Sequence, residues 1–308
     1  MSQMTAFGQN IVVALDLQRD WRHVVEHATQ FAQWAEATLH LVYVVPDPRL
    51  SAYGVLDKTE RRVHMRRLGE EARTQMEDTG RELKEKGIPS QVTLLRGKQA
   101  AKAILKHAQS MKAGLIVAGA SRTAGAEFLF VGTTADRLLR HSHVPVLIAG
   151  PELTHPLKRI LAPTDLERSS QGAIRLACTL ATLNEGQASV LHAYAHPAPL
   201  HGDHGDALSL SQDVKATVTR AFDAFMAQMP LPQGSPPLQK LLTASPDTVD
   251  ASVAIVAEAS RLNMNLIVMA LGRISFFEQF IIGAVTERVI RNLPCPLLAL
   301  PTTWARRH

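Results

Sequence analysis

Four features of this chain carry recognisable chemistry. Asp16 and Asp165 each close a short apolar run, Ile11–Leu15 in one case and Ile160–Thr164 in the other. Gly132-Thr133 stands at the head of a helix-like segment, Ala135 to Arg140. A helix start leaves backbone amides unpaired and carries partial positive charge, so a glycine that admits an anion closely and a threonine that adds a hydroxyl suit phosphate. The same residues also fit a plain capped helix, because Thr133 with Asp136 three residues on approximates a capping box. His201, Asp203, His204 and Asp206 lie together with His192 and His196 nearby, a donor set of the kind that holds zinc. An H-x-x-H in a glycine-rich loop lacks the fixed face of a helix, and a solvated polar loop is the simpler reading; zinc is not expected. Walker, dinucleotide-fold and nucleophile-elbow glycine motifs are all missing, and no motif places a general base. A binding protein or sensor with at most slow hydrolysis is favoured over a dedicated enzyme.

These residues recur because the chain repeats. Ile11–Asp16 faces Ile160–Asp165 at an offset of 149 residues. Leu115-Ile116-Val117 faces Leu266-Ile267-Val268, and from there to Gly150 and Pro301 the halves align without a gap at an offset of 151. Arg122 matches Arg273, Gly132 matches Gly283, Arg137 and Arg140 match Arg288 and Arg291, and Pro145 matches Pro296. Each copy alternates apolar runs with stretches of helical periodicity. The runs Leu39–Val45, Gln91–Leu95, Gly114–Ala118 and Val144–Ile148 read as strands in the first copy. Ala188–Tyr194, Leu238–Leu242, Asn265–Met269 and Pro296–Leu300 read as strands in the second. Val24–Ala37 and Ala173–Leu183 read as helices. Continuous apolar strands separated by helices predict an α/β fold: two tandem doubly wound domains, each a parallel sheet covered on both faces. Domain bounds of 1–152 and 157–303 are expected, joined by a linker near Pro151 to Pro156. In such a sheet ligands bind beyond the carboxyl ends of the strands, where Asp16, Asp165 and the loop from Gly119 to Thr133 belong.

Composition excludes several classes. The 308 residues fit two domains. No apolar stretch approaches the roughly 20 residues of a membrane helix, and the N-terminal run is too short for a secretory signal. Two cysteines, Cys178 and Cys295, without paired spacing fit a reducing cytoplasm. The net charge of +5 is spread, and its densest stretch, Asp57 to Lys86, offers helical pairs such as Arg66 with Glu70 and Glu82 with Lys86. No aromatic residues interleave with the basic ones, so no nucleic-acid partner is expected. His141 and His143 are expected at the surface, and Phe276, Phe277, Phe280, Ile281 and Ile282 form an apolar cluster in the second copy's loop.

The halves resemble universal stress protein domains. The family's ATP-binding members carry G-x-x-G, nine residues, then G-[ST] after the fourth strand. In the first copy Gly119-Ala120-Ser121-Arg122 precedes nine residues and Gly132-Thr133, so three of four positions match and Arg122 replaces a glycine. The tail Val144-Pro145-Val146-Leu147-Ile148 resembles the family's last strand, and Pro163-Thr164-Asp165 its first-strand ending. The second copy's loop departs further, with Ala270, Arg273 and Ala284 at motif positions.

The resemblance implies a five-stranded parallel sheet in each half. It implies that ATP or a related adenine nucleotide, with any Mg²⁺ it carries, meets Ala14, Leu15, Asp16, Val44, Gly119, Gly132, Thr133 and Thr134. Arg122 either crowds that loop or pairs with a phosphate. A weaker second site would involve Pro163, Thr164, Asp165, Gly272 and Gly283. The resemblance further implies a cytoplasmic stress-response role and pairing through the last strands, as an internal pseudo-dimer or a homodimer. Two other readings stand beside it: an interaction module whose sites have decayed, and a zinc-binding variant through His201 and His204.

Overall fold

A computed structural model describes residues 5–17, 21–47, 57–121, 128–150, 156–195, 204–245, 250–271, 273–276 and 279–305. The chain divides into two units. Unit 1 holds Met1–Arg122 and Val131–Leu153; unit 2 holds Thr123–Phe130 and Thr154–His308. Within unit 2, Leu129 is buried and its amide donates to the Leu293 carbonyl at 2.7 Å.

Unit 1 runs β1 (Asn10–Leu15), α1 (Arg22–Ala35), β2 (Thr38–Val45), α2 (Lys58–Glu85), β3 (Ser90–Arg96), α3 (Ala100–Ser110), β4 (Leu115–Gly119), α4 (Thr133–His141) and β5 (Val146–Ala149). Its five strands pair in parallel in the order β3-β2-β1-β4-β5. Unit 2 runs β6 (Arg159–Pro163), α5 (Arg168–Leu183), β7 (Gln187–Ala195), α6 (His204–Ala227), β8 (Gln239–Ser245), α7 (Ala251–Arg261) and β9 (Leu266–Leu271). A hairpin of β10 (Arg273–Phe276) and β11 (Gln279–Ile282) follows, then α8 (Ala284–Arg291), β12 (Leu297–Pro301) and the short α9 (Thr302–Ala305). Its parallel order is β8-β7-β6-β9-β12, the same topology. The apolar strand runs are explained by burial on both faces: Ile11, Val12, Val13, Leu115, Ile116 and Val117 are fully enclosed, as are Ile160, Leu161, Ile267 and Val268.

The repeat extends to the backbone. Left-handed φ is costly for a residue with a side chain. The described non-glycine residues that adopt it are Leu17, Glu36, Lys112, Leu166, Glu185 and Asn263. They fall into three equivalent pairs. Leu17 and Leu166 follow the first-strand aspartates, Glu36 and Glu185 end α1 and α5, and Lys112 and Asn263 follow α3 and α7. The ion pair Arg140–Asp136 on α4 is repeated by Arg291–Glu287 on α8.

Two local expectations are corrected. Lys86 is the C-terminal cap of α2, and Glu82 pairs with Arg22 of α1 at 3.5 Å instead. Arg66 does pair with Glu70, at 3.2 Å. β10 and β11 pair antiparallel, with Arg273 opposite Ile282 and Phe276 opposite Gln279, where a loop was expected.

Candidate functional site

In unit 1 the parallel register brings the expected residues to one edge. Ala14 lies level with Val42 on β2 and Ala118 on β4, so Asp16, Val44 and Gly119 all fall at the carboxyl ends of adjacent strands. Leu15 is buried, Asp16 is exposed, and Leu17 turns the chain away with φ of 55°. Strained backbone directly after the aspartate, in both units, fixes how that carboxylate leaves the sheet.

The two glycines have different physical reasons. Gly119 is the last residue of β4, not a loop residue beyond it. A Cβ there would lie 2.9 Å from Val24 Cγ2 and 3.6 Å from His23 Nε2, so its smallness lets α1 close onto the strand. The equivalent positions in unit 2 hold Ala270 and Ala173, a methyl on the strand and a smaller residue type at the helix position. Gly132 is another case. Its φ of −67° is open to any residue, and a Cβ would meet nothing within 4 Å. Among the described residues nothing gives a packing or conformational reason for a glycine at this position.

Gly132 is the N-cap of α4, so the capping box expected of Thr133 and Asp136 does not form. Thr133 is the first helical residue and is exposed, and Asp136 accepts Arg140 at 2.9 Å. Gly132 brings no side-chain cap to the first amides of α4; Thr133 follows exposed and Thr134 half-buried. The N-cap of α3, at the same sheet edge, is Gln99, which also makes no side-chain cap bond. Lys98 and Arg137 are exposed and have no carboxylate partner among the described residues.

Unit 2 satisfies its own edge. Pro163 ends β6. Thr164 Oγ1 lies 2.7 Å from Ser170 Oγ and accepts the Leu166 amide at 3.0 Å; its carbonyl accepts His192 Nδ1 at 2.9 Å. The Asp165 carboxylate accepts the Glu167 amide at 3.0 Å. Asp250, the N-cap of α7, accepts the Ser252 amide and hydroxyl, and Arg288 of α8 reaches it at 2.5 Å. Burial pushes the Asp250 carboxyl up, but the Ser252 hydrogen bonds and the Arg288 charge outweigh it and hold the group below its ordinary 3.8. Arg137 and Gln99 are the equivalents of Arg288 and Asp250, so unit 2 supplies internally an anion that unit 1 lacks. Gly283 caps α8 without a side-chain bond, and Ala284 offers no hydroxyl.

Arg122, Gly272 and His201 lie outside the described residues. His204 opens α6 and so belongs to a helix, where a loop was expected. Among the described residues no three His, Cys, Asp or Glu cluster as metal ligands, and no helix is long and apolar enough to cross a membrane. His141 and His143 are exposed. The Asp250–Arg288 pair escaped the sequence reading, although Asp-Ala-Ser before an apolar helical stretch is a readable N-cap signal.

The profile of the Universal stress protein family matches twice, over residues 8–150 and 156–301. A universal stress protein of Methanocaldococcus jannaschii is 27% identical over 148 residues, covering 46% of this chain and 84% of that protein. Among solved structures, a universal stress protein of Archaeoglobus fulgidus is 18% identical with a TM-score of 0.68, covering 95% of this chain and 98% of its own. A protein of Pseudomonas aeruginosa is 20% identical with a TM-score of 0.66, covering 97% and 95%. At these identities the structural likeness establishes the fold, and the double match of the family profile establishes the rest: the chain belongs to the universal stress protein family, as two tandem copies of its domain.

Proposed function

We propose that unit 1 binds ATP or a related adenine nucleotide and acts as a sensor or switch, and that unit 2 binds such ligands weakly or not at all. The observation that carries this is Gly132. It stands at an uncapped helix start with open space before it, beside an exposed threonine hydroxyl, on the edge that also holds Asp16 and Val44. Phosphates would lie against the amides of Gly132, Thr133 and Thr134, with Gly119 at the end of β4 and Arg122 as further candidates; the base would lie between Ala14, Leu15, Asp16 and Val44. Any Mg²⁺ would arrive with the triphosphate. Nucleotide binding biases the conformation that presents this edge closed, which is how a binding protein signals without turnover. Pro163, Thr164, Asp165, Gly272 and Gly283 form the second, weaker site.

A second reading is favoured by unit 2 alone. Its edge is already filled by its own hydrogen bonds and by the Asp250–Arg288 pair, as expected of an interaction module. Denaturing the purified chain and identifying released small molecules by chromatography with mass detection separates the two. About one adenine nucleotide per chain supports the switch; none, together with no binding of added ATP, supports the interaction module.

A further inference from the structure

Two imidazoles sit inside unit 1, away from the nucleotide edge. His40 on β2 is 3% exposed. Its Nε2 lies 2.9 Å from Asn10 Oδ1, so Nε2 donates and Nδ1 is the bare nitrogen. Among the described residues that Nδ1 has no hydrogen-bond partner, and neither has the buried Nε2 of His107 on α3. The two rings meet edge to face with centroids 6.2 Å apart. Charging His40 would place an N–H on Nδ1 where nothing accepts it, which costs far more in the interior than in water.

Among the described residues, those around the pair give a cation no compensation. From β1 comes the Asn10 amide, and from β3 the exposed Gln91, in register with His40. On α3 the lysines Lys102 and Lys106 are exposed. On the opposite sheet face α1 contributes buried His27, and the acidic and basic side chains of α2 are solvent-facing. Burial, followed by the neighbouring His107, holds His40 below its ordinary 6.5; burial alone does the same to His107.

Unit 2 is a control built into the same chain. At the place of His40 it has Ser189, whose hydroxyl donates to Gln239 Oε1 at 3.0 Å. At the place of His107 it has Glu258, paired with Arg261 at 2.7 Å. We propose that the His40–His107 pair makes unit 1 an acid-sensitive element: proton uptake by either imidazole drives α3 off the sheet, while unit 2, with neither imidazole, stays closed. For each imidazole the open state takes up a proton below 6.5 more readily than the packed state, whose imidazoles are held lower by burial. Stability from the pair is therefore whole above 6.5 and is lost as pH falls toward the depressed values.

The test is hydrogen exchange of the full chain between pH 7.5 and 5.0, corrected for intrinsic exchange and read by mass spectrometry on peptides spanning α3 and α7. The α3 opening constant should rise as pH falls below 6.5, by up to about tenfold per pH unit for each proton taken up on opening, with α7 flat. His107→Gln should reduce that slope by one proton. His40→Ser, which reproduces the Ser–Gln pair of unit 2 opposite Gln91, should do likewise, and because only slopes are compared, a lower baseline stability does not obscure the result. Equal pH dependence in α3 and α7, a parental slope in both variants, or α3 protection that rises in acid through a proton shared between the rings would each overturn the proposal.

Discussion

Gly132→Asp is the substitution in which stability and ligand binding should move in opposite directions. The position has φ of −67° and ψ of 164°, ordinary for any residue, and a new Cβ meets nothing within 4 Å. Aspartate is among the best N-cap residues, where glycine is only a few tenths of a kcal/mol worse, and a negative charge at a helix start adds about 0.3–1 kcal/mol. The variant should therefore be as stable as the parent or up to about 1 kcal/mol more so. For a phosphate seated on the first amides of α4 the same carboxylate is repulsive. At about 4 Å the repulsion is about 1 kcal/mol in water and about 4 kcal/mol at an effective dielectric near 20. Each 1.4 kcal/mol is tenfold, so affinity for ATP should fall between about 5-fold and about 1,000-fold. Calorimetric titration with ATP, paired with urea unfolding of the same samples, reads both quantities. Gly132→Ser, a neutral cap, should keep most of the affinity. A folded Gly132→Asp protein that binds ATP as tightly as the parent would refute the placement of phosphate at this helix.

Gly119→Ala should destabilise unit 1 by about 1–3 kcal/mol through the 2.9 Å clash with Val24. The double variant with Val24→Ala should cost less than the sum of the singles by at least about 0.5 kcal/mol in urea unfolding, since unit 2 packs alanine against alanine there. Asp250→Ala should cost about 1–2 kcal/mol at pH 7, mostly from the lost cap, because Arg288 is half exposed and its ion pair adds little. That deficit is fully present above 3.8 and should narrow as pH falls below it, since the Asp250 carboxyl is held low only in the folded chain. Cys178 is fully enclosed and burial raises its thiol to about 11, against a smaller lowering from a backbone hydrogen bond, so a thiol reagent at pH 8 should reach it only after unfolding.

The sheet was legible in the sequence because its strands are buried on both faces. Ile11 to Leu15 and Leu115 to Val117 cannot be amphipathic, and their unbroken apolar character marks them. Duplication was legible because an alignment at a constant offset needs no structure to be seen. The hairpin of 273–282 was not legible from its length alone, because the family pattern prescribes an open glycine loop there. Nor was the cap of α4: Thr133 and Asp136 have the right types and spacing, but the helix begins one residue earlier and Asp136 is taken by Arg140. The His40–His107 contact joins a strand and a helix that are 67 positions apart, beyond the reach of any local pattern.

Differences between the copies must be sorted by cause before they count as functional decay. Ala270 at a glycine position looks like a damaged phosphate loop, yet a Cβ at Gly119 would lie 2.9 Å from Val24, and unit 2 has the smaller Ala173 at the position of Val24. That difference is a packing exchange and says nothing about ligand. The differences that bear on binding are fewer. They are a hydroxyl at Thr133 against none at Ala284, a neutral Gln99 against the carboxylate of Asp250, and a hairpin where unit 1 has the segment leading to Gly132. Each changes what an incoming phosphate would meet. Asp250 is the one whose effect can be reversed by a single change: Asp250→Gln restores the unit 1 residue and releases Arg288 from its internal anion. If the charge at that edge decides occupancy, this variant should gain measurable affinity for inorganic phosphate over the parent. If it gains none, the charge at that edge does not decide occupancy.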